Sequence, residues 1–164
     1  PPRERGLPGL RSLTRAPSRH LNKGHDVSTK RKGKKMPREV IQPEGMWDPR
    51  PRFAHVAKHG KHVYVAGQTS GDANGNLVGK GDIEAQTRQV FENIKKCLAA
   101  AGASFDNVVK INVYLTDIGQ QLGAVAKVRQ GYFTTETVPS TTVEIPRLAS
   151  PDYLVEIEAI AILD

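Results

Sequence analysis

Near the end of the chain, the run Leu154-Val155-Glu156-Ile157-Glu158-Ala159-Ile160 sets two carboxylates two residues apart among apolar neighbours. In a strand both point to one face, alongside Leu154 and Ile160. A carboxylate with apolar neighbours loses hydration, which raises its pKa toward the range useful for general acid–base catalysis. Glu144, in the preceding apolar stretch, is a candidate third carboxylate. The same pattern also describes a polar sheet face or an ion pair with Arg147, and spacing alone leaves both readings open.

The other reactive residue types point to plainer roles. His55, His59 and His62 lie close together, but zinc needs three or four converging ligands and no HExxH or cysteine assists them. They are expected to be surface histidines on a turn, with no metal bound. Gly75-x3-Gly79-Lys80-Gly81 is one residue short of P-loop spacing and lacks the Ser/Thr that would hold magnesium. In Gly67-Gln68-Thr69-Ser70-Gly71 the serine comes one place too late for a GxSxG nucleophile elbow. Cys97 falls on an apolar helical stripe, which predicts a buried, inert thiol.

The elements that must hold these residues are legible from period and punctuation. Residues 39–42 form a short strand, ended by Pro43-Glu44-Gly45. Residues 53–58 and 61–66 flank His59-Gly60 as a hairpin, with Val63 and Val65 on one face and His62 and Tyr64 on the other. Residues 67–81 carry five glycines and read as a loop. Asp82 caps a helix from Ile83 whose buried stripe is Ile83, Thr87, Val90, Phe91, Ile94, Cys97, Leu98 and Ala101, stopped by Gly102. Val109, Ile111, Val113 and Leu115 alternate as one face of a strand. A second helix is expected over residues 120–133, burying Leu122, Val125, Val128 or Arg129, and Tyr132. Residues 141–145 and 154–163 are the last strands. Two helices and a mixed sheet make an α+β single domain with the helices on one face. The other face then needs a partner, which points to self-association.

Charge divides the chain. Its 164 residues carry +7, yet residues 1–36 alone carry +9, with eleven Lys/Arg against Glu4 and Asp26. Residues 37–164 hold thirteen basic and fifteen acidic residues, a net of −2. The Pro-, Gly- and Arg-rich stretch 1–36 has too little apolar surface to offset its ordering entropy and reads as a disordered basic extension. It is a tag or upstream segment before Met36, an organelle transit segment, or an anion-binding arm. Nucleic acid is not an expected partner except through this tail. One cysteine excludes a disulfide framework and fits a reducing compartment. No apolar run approaches the ~20 residues of a membrane-spanning helix, and no membrane partner is expected. The address is cytoplasmic, or the mitochondrial matrix if residues 1–35 are a transit peptide.

Residues 53–164 resemble the RidA/YjgF family of imine/enamine deaminases, also known as L-PSP endoribonucleases or translation initiation inhibitors. The resemblance rests on Val63-Tyr64-Val65-Ala66-Gly67-Gln68, then Gln86 to Ile94, Ala100-Ala101-Gly102-Ala103, Val108-Val109-Lys110 and Val113-Tyr114-Leu115-Thr116-Asp117. It continues through Val143-Glu144-Ile145, Arg147-Leu148 and Glu156-Ile157-Glu158-Ala159-Ile160-Ala161, in family order. It implies a chorismate-mutase-like (YjgF/L-PSP-like) domain over residues 37–164, a homotrimer, and ligand clefts between subunits. The implied reaction hydrolyses an imine or enamine to a carbonyl product and ammonia, with no metal or organic cofactor, and the implied ligand is a small imine, enamine or keto acid.

By match to the family, Glu156 positions the attacking water and Phe53 closes the cleft where tyrosine is common. Ala66 and Gly67 lie where a small residue and a backbone N–H meet the ligand, and Thr142 replaces a frequent cysteine. Pro139-Ser140-Thr141 sets Ser140 where the family has its carboxylate-binding arginine, and a neutral hydroxyl cannot make that bidentate grip. Arg147 matches a family arginine outside the cleft, and Arg129 is the substitute available on the second helix. Two other functions compete: a non-enzymatic small-molecule-binding or regulatory trimer, and an RNA-acting protein.

Overall fold

The computed structural model describes residues 37–134 and 136–164; the basic extension read from residues 1–36 lies outside them. Strands β1 (Glu39–Ile41), β2 (Val56–His59) and β3 (His62–Gln68) lead into helix α1 (Ile83–Ala100). Then come β4 (Val108–Leu115), helix α2 (Ile118–Arg129), β5 (Ser140–Glu144) and β6 (Val155–Ile162). They form one sheet in the order β1-β2-β3-β6-β4-β5, so the last strand enters its middle. All pairings are antiparallel except β4 with β5.

The expected elements are present, and their offsets have local causes. The hairpin turns at Gly60-Lys61, one residue later than expected, because His59 pairs with His62 and Gly60 takes a left-handed φ of 60°. Gly67 and Gln68 belong to β3 and not to the loop. Asp82 caps α1 by accepting from Ala85 N at 3.0 Å, and Gly102 follows the helix at φ 79°.

Val109 was expected inside but is 42% exposed, because the β4–β6 register shifts between Val108 and Lys110 and buries Val108 in its place. Helix α2 begins two residues early, since Asp117 accepts from Gln120 N and Gln121 Oε1 accepts from Thr116 N and Asp117 N. Gln121, Val125 and Val128 face inward, leaving Leu122 exposed. The helix stops at Arg129, so Tyr132 lies beyond it and stacks on Phe91 at 4.7 Å.

Both helices cover one face of the sheet. Phe91, Ile94 and Leu98 of α1 pack with Val63, Val65, Ile111, Val113, Leu115, Val155 and Ile157 in one buried cluster. The other face keeps Tyr64, Val143 and Ile162 about 40–47% exposed. Among the described residues no helix is long and apolar enough to cross a membrane.

Two buried amides on α1 were not foreseen as structural anchors. Gln86, fully buried, donates to Gly79 O (3.1 Å) and Asp152 O (2.8 Å) and accepts from Leu154 N (2.9 Å). Asn93 donates to Thr69 O (3.1 Å) and Gly71 O (2.9 Å). They fasten the exit of β3 and the entry of β6 to one rigid helix. Gln86→Leu would leave the Asp152 carbonyl and the Leu154 N–H without partners among the described residues, while Gly79 O keeps its bond from Asp82 N, at a cost of about 2–4 kcal/mol. Urea denaturation is expected to show that loss; a variant within 0.5 kcal/mol of wild type, an ordinary effect for a surface change, would remove this anchoring role.

Candidate active site

Alternation along β6 sends Val155, Ile157, Ala159 and Ala161 into the helix-covered core and Glu156, Glu158 and Ile160 to the opposite face. The two carboxylates differ in their partners. Glu158 Oε1 accepts from Asn112 Nδ2 (2.6 Å) and Tyr114 Oη (3.1 Å), both from β4. Burial and this contact raise the Tyr114 pKa. Glu156 accepts no hydrogen bond among the described residues. Burial first, and the Glu158 charge second, raise its pKa above the ordinary glutamate value.

The space for Glu156 comes from β3. Val65 pairs with Ala159 and Gln68 with Ile157, so three steps on β3 meet two on β6 and a bulge falls at Ala66 and Gly67. A Cβ on Gly67 would stand 2.7 Å from the Glu156 carboxyl carbon and closer still to Oε1. The φ of Gly67 is not in the left-handed region. Glycine is needed here for room, and the carboxylate lies over the strand where a side chain would be.

This pair forms the floor of a cleft of about 640 Å³, whose walls include Trp47, Arg52, Phe53, Ala66, Thr69 and Tyr153. Trp47, Phe53 and His55 form a mutually perpendicular ring cluster with centroids 5.7–5.8 Å apart. His55 was expected on the surface but is 2% exposed, because its Nε2 donates to Trp47 O at 2.9 Å and its ring backs the other two. Among the described residues no three His, Cys, Asp or Glu side chains gather as a metal site. Cys97 is fully buried, and burial pushes its thiol up to about 12.

A family model described as Endoribonuclease L-PSP matches residues 46–163. The chain belongs to that family, the RidA/YjgF group. A RutC family protein of Pyrococcus horikoshii is 40% identical over 124 residues, covering 76% of this chain and 97% of the relative. The 3-aminoacrylate deaminase RutC of Acinetobacter baylyi is 36% identical over 126 residues, 77% of this chain and 98% of that enzyme. Among solved structures, yeast Mmf1 superposes with a TM-score of 0.73 at 26% identity, covering 78% of this chain and 100% of that one. RidA from an Antarctic Psychrobacter superposes at 0.70 with 31% identity, covering 76% and 99%.

Of the site residues expected from the sequence, Phe53, Ala66, Gly67 and Glu156 line the one cleft. Ser140, Thr142 and Arg129 do not join them within one chain. Ser140 and Thr142 pair with Ile111 and Val113, which face the helices, so they take the side of β5 opposite to Glu156. Arg129 reaches Ser140 from α2, with Nη1 donating to Ser140 Oγ at 3.0 Å and Nη2 to Val138 O at 2.8 Å. Arg147 is exposed and does not line the cleft.

Glu144 is not a third carboxylate of the site: it shares the register of Leu115 on the helix side, and its Oε2 accepts from Ile118 N at 2.8 Å, at the start of α2. Trp47, Arg52 and Tyr153 were missed. The signals available were the lone tryptophan and a Trp47-x4-Arg52-Phe53 run outside any periodic element.

The raised pKa of Glu156 means that the native state keeps its proton to higher pH than the unfolded chain does. The stability so contributed is complete below the ordinary glutamate pKa and is lost as pH rises through the raised folded value. Glu156→Gln is therefore expected to match wild type in urea midpoint near pH 4 and to exceed it at pH 8. An unchanged difference across that range would show a carboxylate that is not desolvated.

Proposed function

We propose that this protein hydrolyses a reactive imine or enamine to a carbonyl compound and ammonia, with Glu156 as the general acid–base. The observation that carries the reading is an unpaired carboxylate of raised pKa, lying over Gly67 in a cleft with an aromatic wall. The deaminase name of the Acinetobacter relative supports the same reading.

The reaction needs one group that first takes and then returns a proton. Water oxygen bonds to the imine carbon while Glu156 accepts a water proton and delivers it to nitrogen. The resulting carbinolamine loses its hydroxyl proton to nitrogen through Glu156 as the C–N bond breaks and ammonia leaves. A carboxylate whose pKa is raised above the ordinary glutamate value holds a proton more firmly, which favours its taking one from water. For an enamine, the protonated form first supplies a proton to the β-carbon. Neither route consumes an oxidant or a cofactor.

The active unit in this reading is a homotrimer. The sheet face that bears Tyr64, Val143 and Ile162 is uncovered in a single chain, and burying it against copies of itself would remove exposed apolar surface. Edge strand β5 of a neighbour would then bring Ser140 and Thr142 to the Glu156 cleft. Arg129, donating to Ser140 Oγ, would leave that hydroxyl's own proton free to donate to the ligand.

The test supplies imines in situ with an amino-acid oxidase and follows keto-acid formation against the uncatalysed rate. Glu156→Gln is expected to lower the accelerated rate by about 10²–10⁴-fold. Gly67→Ala, whose Cβ displaces the Glu156 carboxylate, is expected to fall comparably while still folding. A wild type that accelerates no imine would leave the binding role standing instead. For assembly, wild type is expected to sediment at three times the chain mass, and Ile160→Arg, on the uncovered face, to sediment as a smaller species with lost activity. A wild-type monomer would refute the intersubunit site.

A further inference from the structure

We propose that Arg52 is the anion receptor of the Glu156 cleft, and that the site therefore selects ligands carrying a carboxylate next to an aromatic or bulky apolar group. The inference rests on the assignment of this cleft as the working site and names the class of molecule it takes.

Among the described residues lining the cleft, Arg52 is the sole cation and Glu156 the sole carboxylate. The Arg52 guanidinium makes no hydrogen bond or ion pair among the described residues; its contact is with the Trp47 ring, 5.9 Å from Cζ to the ring centroid. The acid nearest in sequence is already committed. Asp48 takes Arg50 in a two-pronged pair, Nε donating to Oδ1 at 2.8 Å and Nη2 bonded to Oδ2, and Arg50 holds the Asp48 pKa down to about 2. Arg52, exposed, thus keeps its fork of donors open at the cleft beside the Trp47 ring. A planar guanidinium matches a planar carboxylate in two parallel hydrogen bonds.

The other arginine near the candidate residues is occupied. Arg129 spends Nη1 on Ser140 Oγ and Nη2 on the Val138 carbonyl, and its Cζ lies 5.6 Å from the Phe133 ring centroid. Its donors are closing the start of β5 against α2. The remaining cleft wall explains the second part of the class. Trp47, Phe53 and Tyr153 supply three rings, and a volume of about 640 Å³ exceeds the need of a three-carbon acid and suits a ring-bearing one.

The test is calorimetric binding of phenylpyruvate and of phenylacetone, which share the benzyl ketone and differ by the carboxylate, to the full chain and its variants. Wild type is expected to bind phenylpyruvate about 10–100-fold more tightly. Arg52→Met is expected to abolish that preference while leaving phenylacetone affinity unchanged, and Arg52→Lys to keep part of it. Three results would overturn the assignment: no preference in wild type, the preference retained in Arg52→Met, or equal loss of both ligands, which would mark Arg52 as packing for Trp47. Loss of the preference in Arg129→Met with its retention in Arg52→Met would move the receptor to Arg129. Because binding is read without turnover, a wild type that hydrolyses no imine but shows the Arg52-dependent preference overturns the deaminase reading and sustains this one.

Discussion

The site depends on one close approach, that of the Glu156 carboxylate to the backbone of Gly67. A carboxylate can be drawn out of water onto a strand only if that strand offers no side chain there. The bulge between Val65 and Gln68 supplies the local geometry, and glycine supplies the space. Desolvation follows from the placement, and the raised pKa follows from desolvation. Glu158, two residues on and on the same face, has Asn112 and Tyr114 as donors and so serves as a satisfied structural carboxylate. Two acids of one strand thus acquire different roles from their neighbours alone.

The helix layer holds this arrangement in register. Gln86 and Asn93 sit seven residues apart on α1 and reach the segments that leave β3 and enter β6. These buried amides are costly to disturb, because Asp152 O, Leu154 N and Thr69 O have no other partner among the described residues. The two strands that carry Gly67 and Glu156 are therefore tied to a common rigid element. The cleft wall is fastened separately, with Trp47 O accepting from His55 Nε2 and from Gln42 Nε2 at 3.2 Å.

Charge on the candidate residues is distributed by competition for partners. Asp48 is taken by Arg50, Glu144 by the start of α2, and Arg129 by Ser140 and Val138. Among the described residues, what remains unpaired at the cleft is one carboxylate and one guanidinium, Glu156 and Arg52. The proposed reaction, which moves a proton, and the proposed anion receptor both call for groups whose hydrogen-bonding capacity has not been spent on the fold.

Most of the fold was legible in the chain because it follows from local rules. Alternation in residues 154–163 and 109–115, the Asp82 cap, and Gly102 after the helix each act within a few residues. The shared face of Glu156 and Glu158, and the candidacy of Phe53, Ala66 and Gly67, were readable in the same way or by family match. The errors were those of context: Val109 was turned out by a register shift, Leu122 by the inward Gln121, His55 was drawn in by the Trp47 carbonyl, and Glu144 was claimed by a helix start.

The amino-acid sequence by itself determined the order of elements, the two-faced sheet and which acids share a face, because these depend on period and on residue type. Only the tertiary structure decided that Glu156 is unpaired, that Gly67 makes its room, and that Trp47, Arg52 and Tyr153 wall the cleft. Those facts depend on which strands become neighbours and on which partners are already taken, and no local spacing records either.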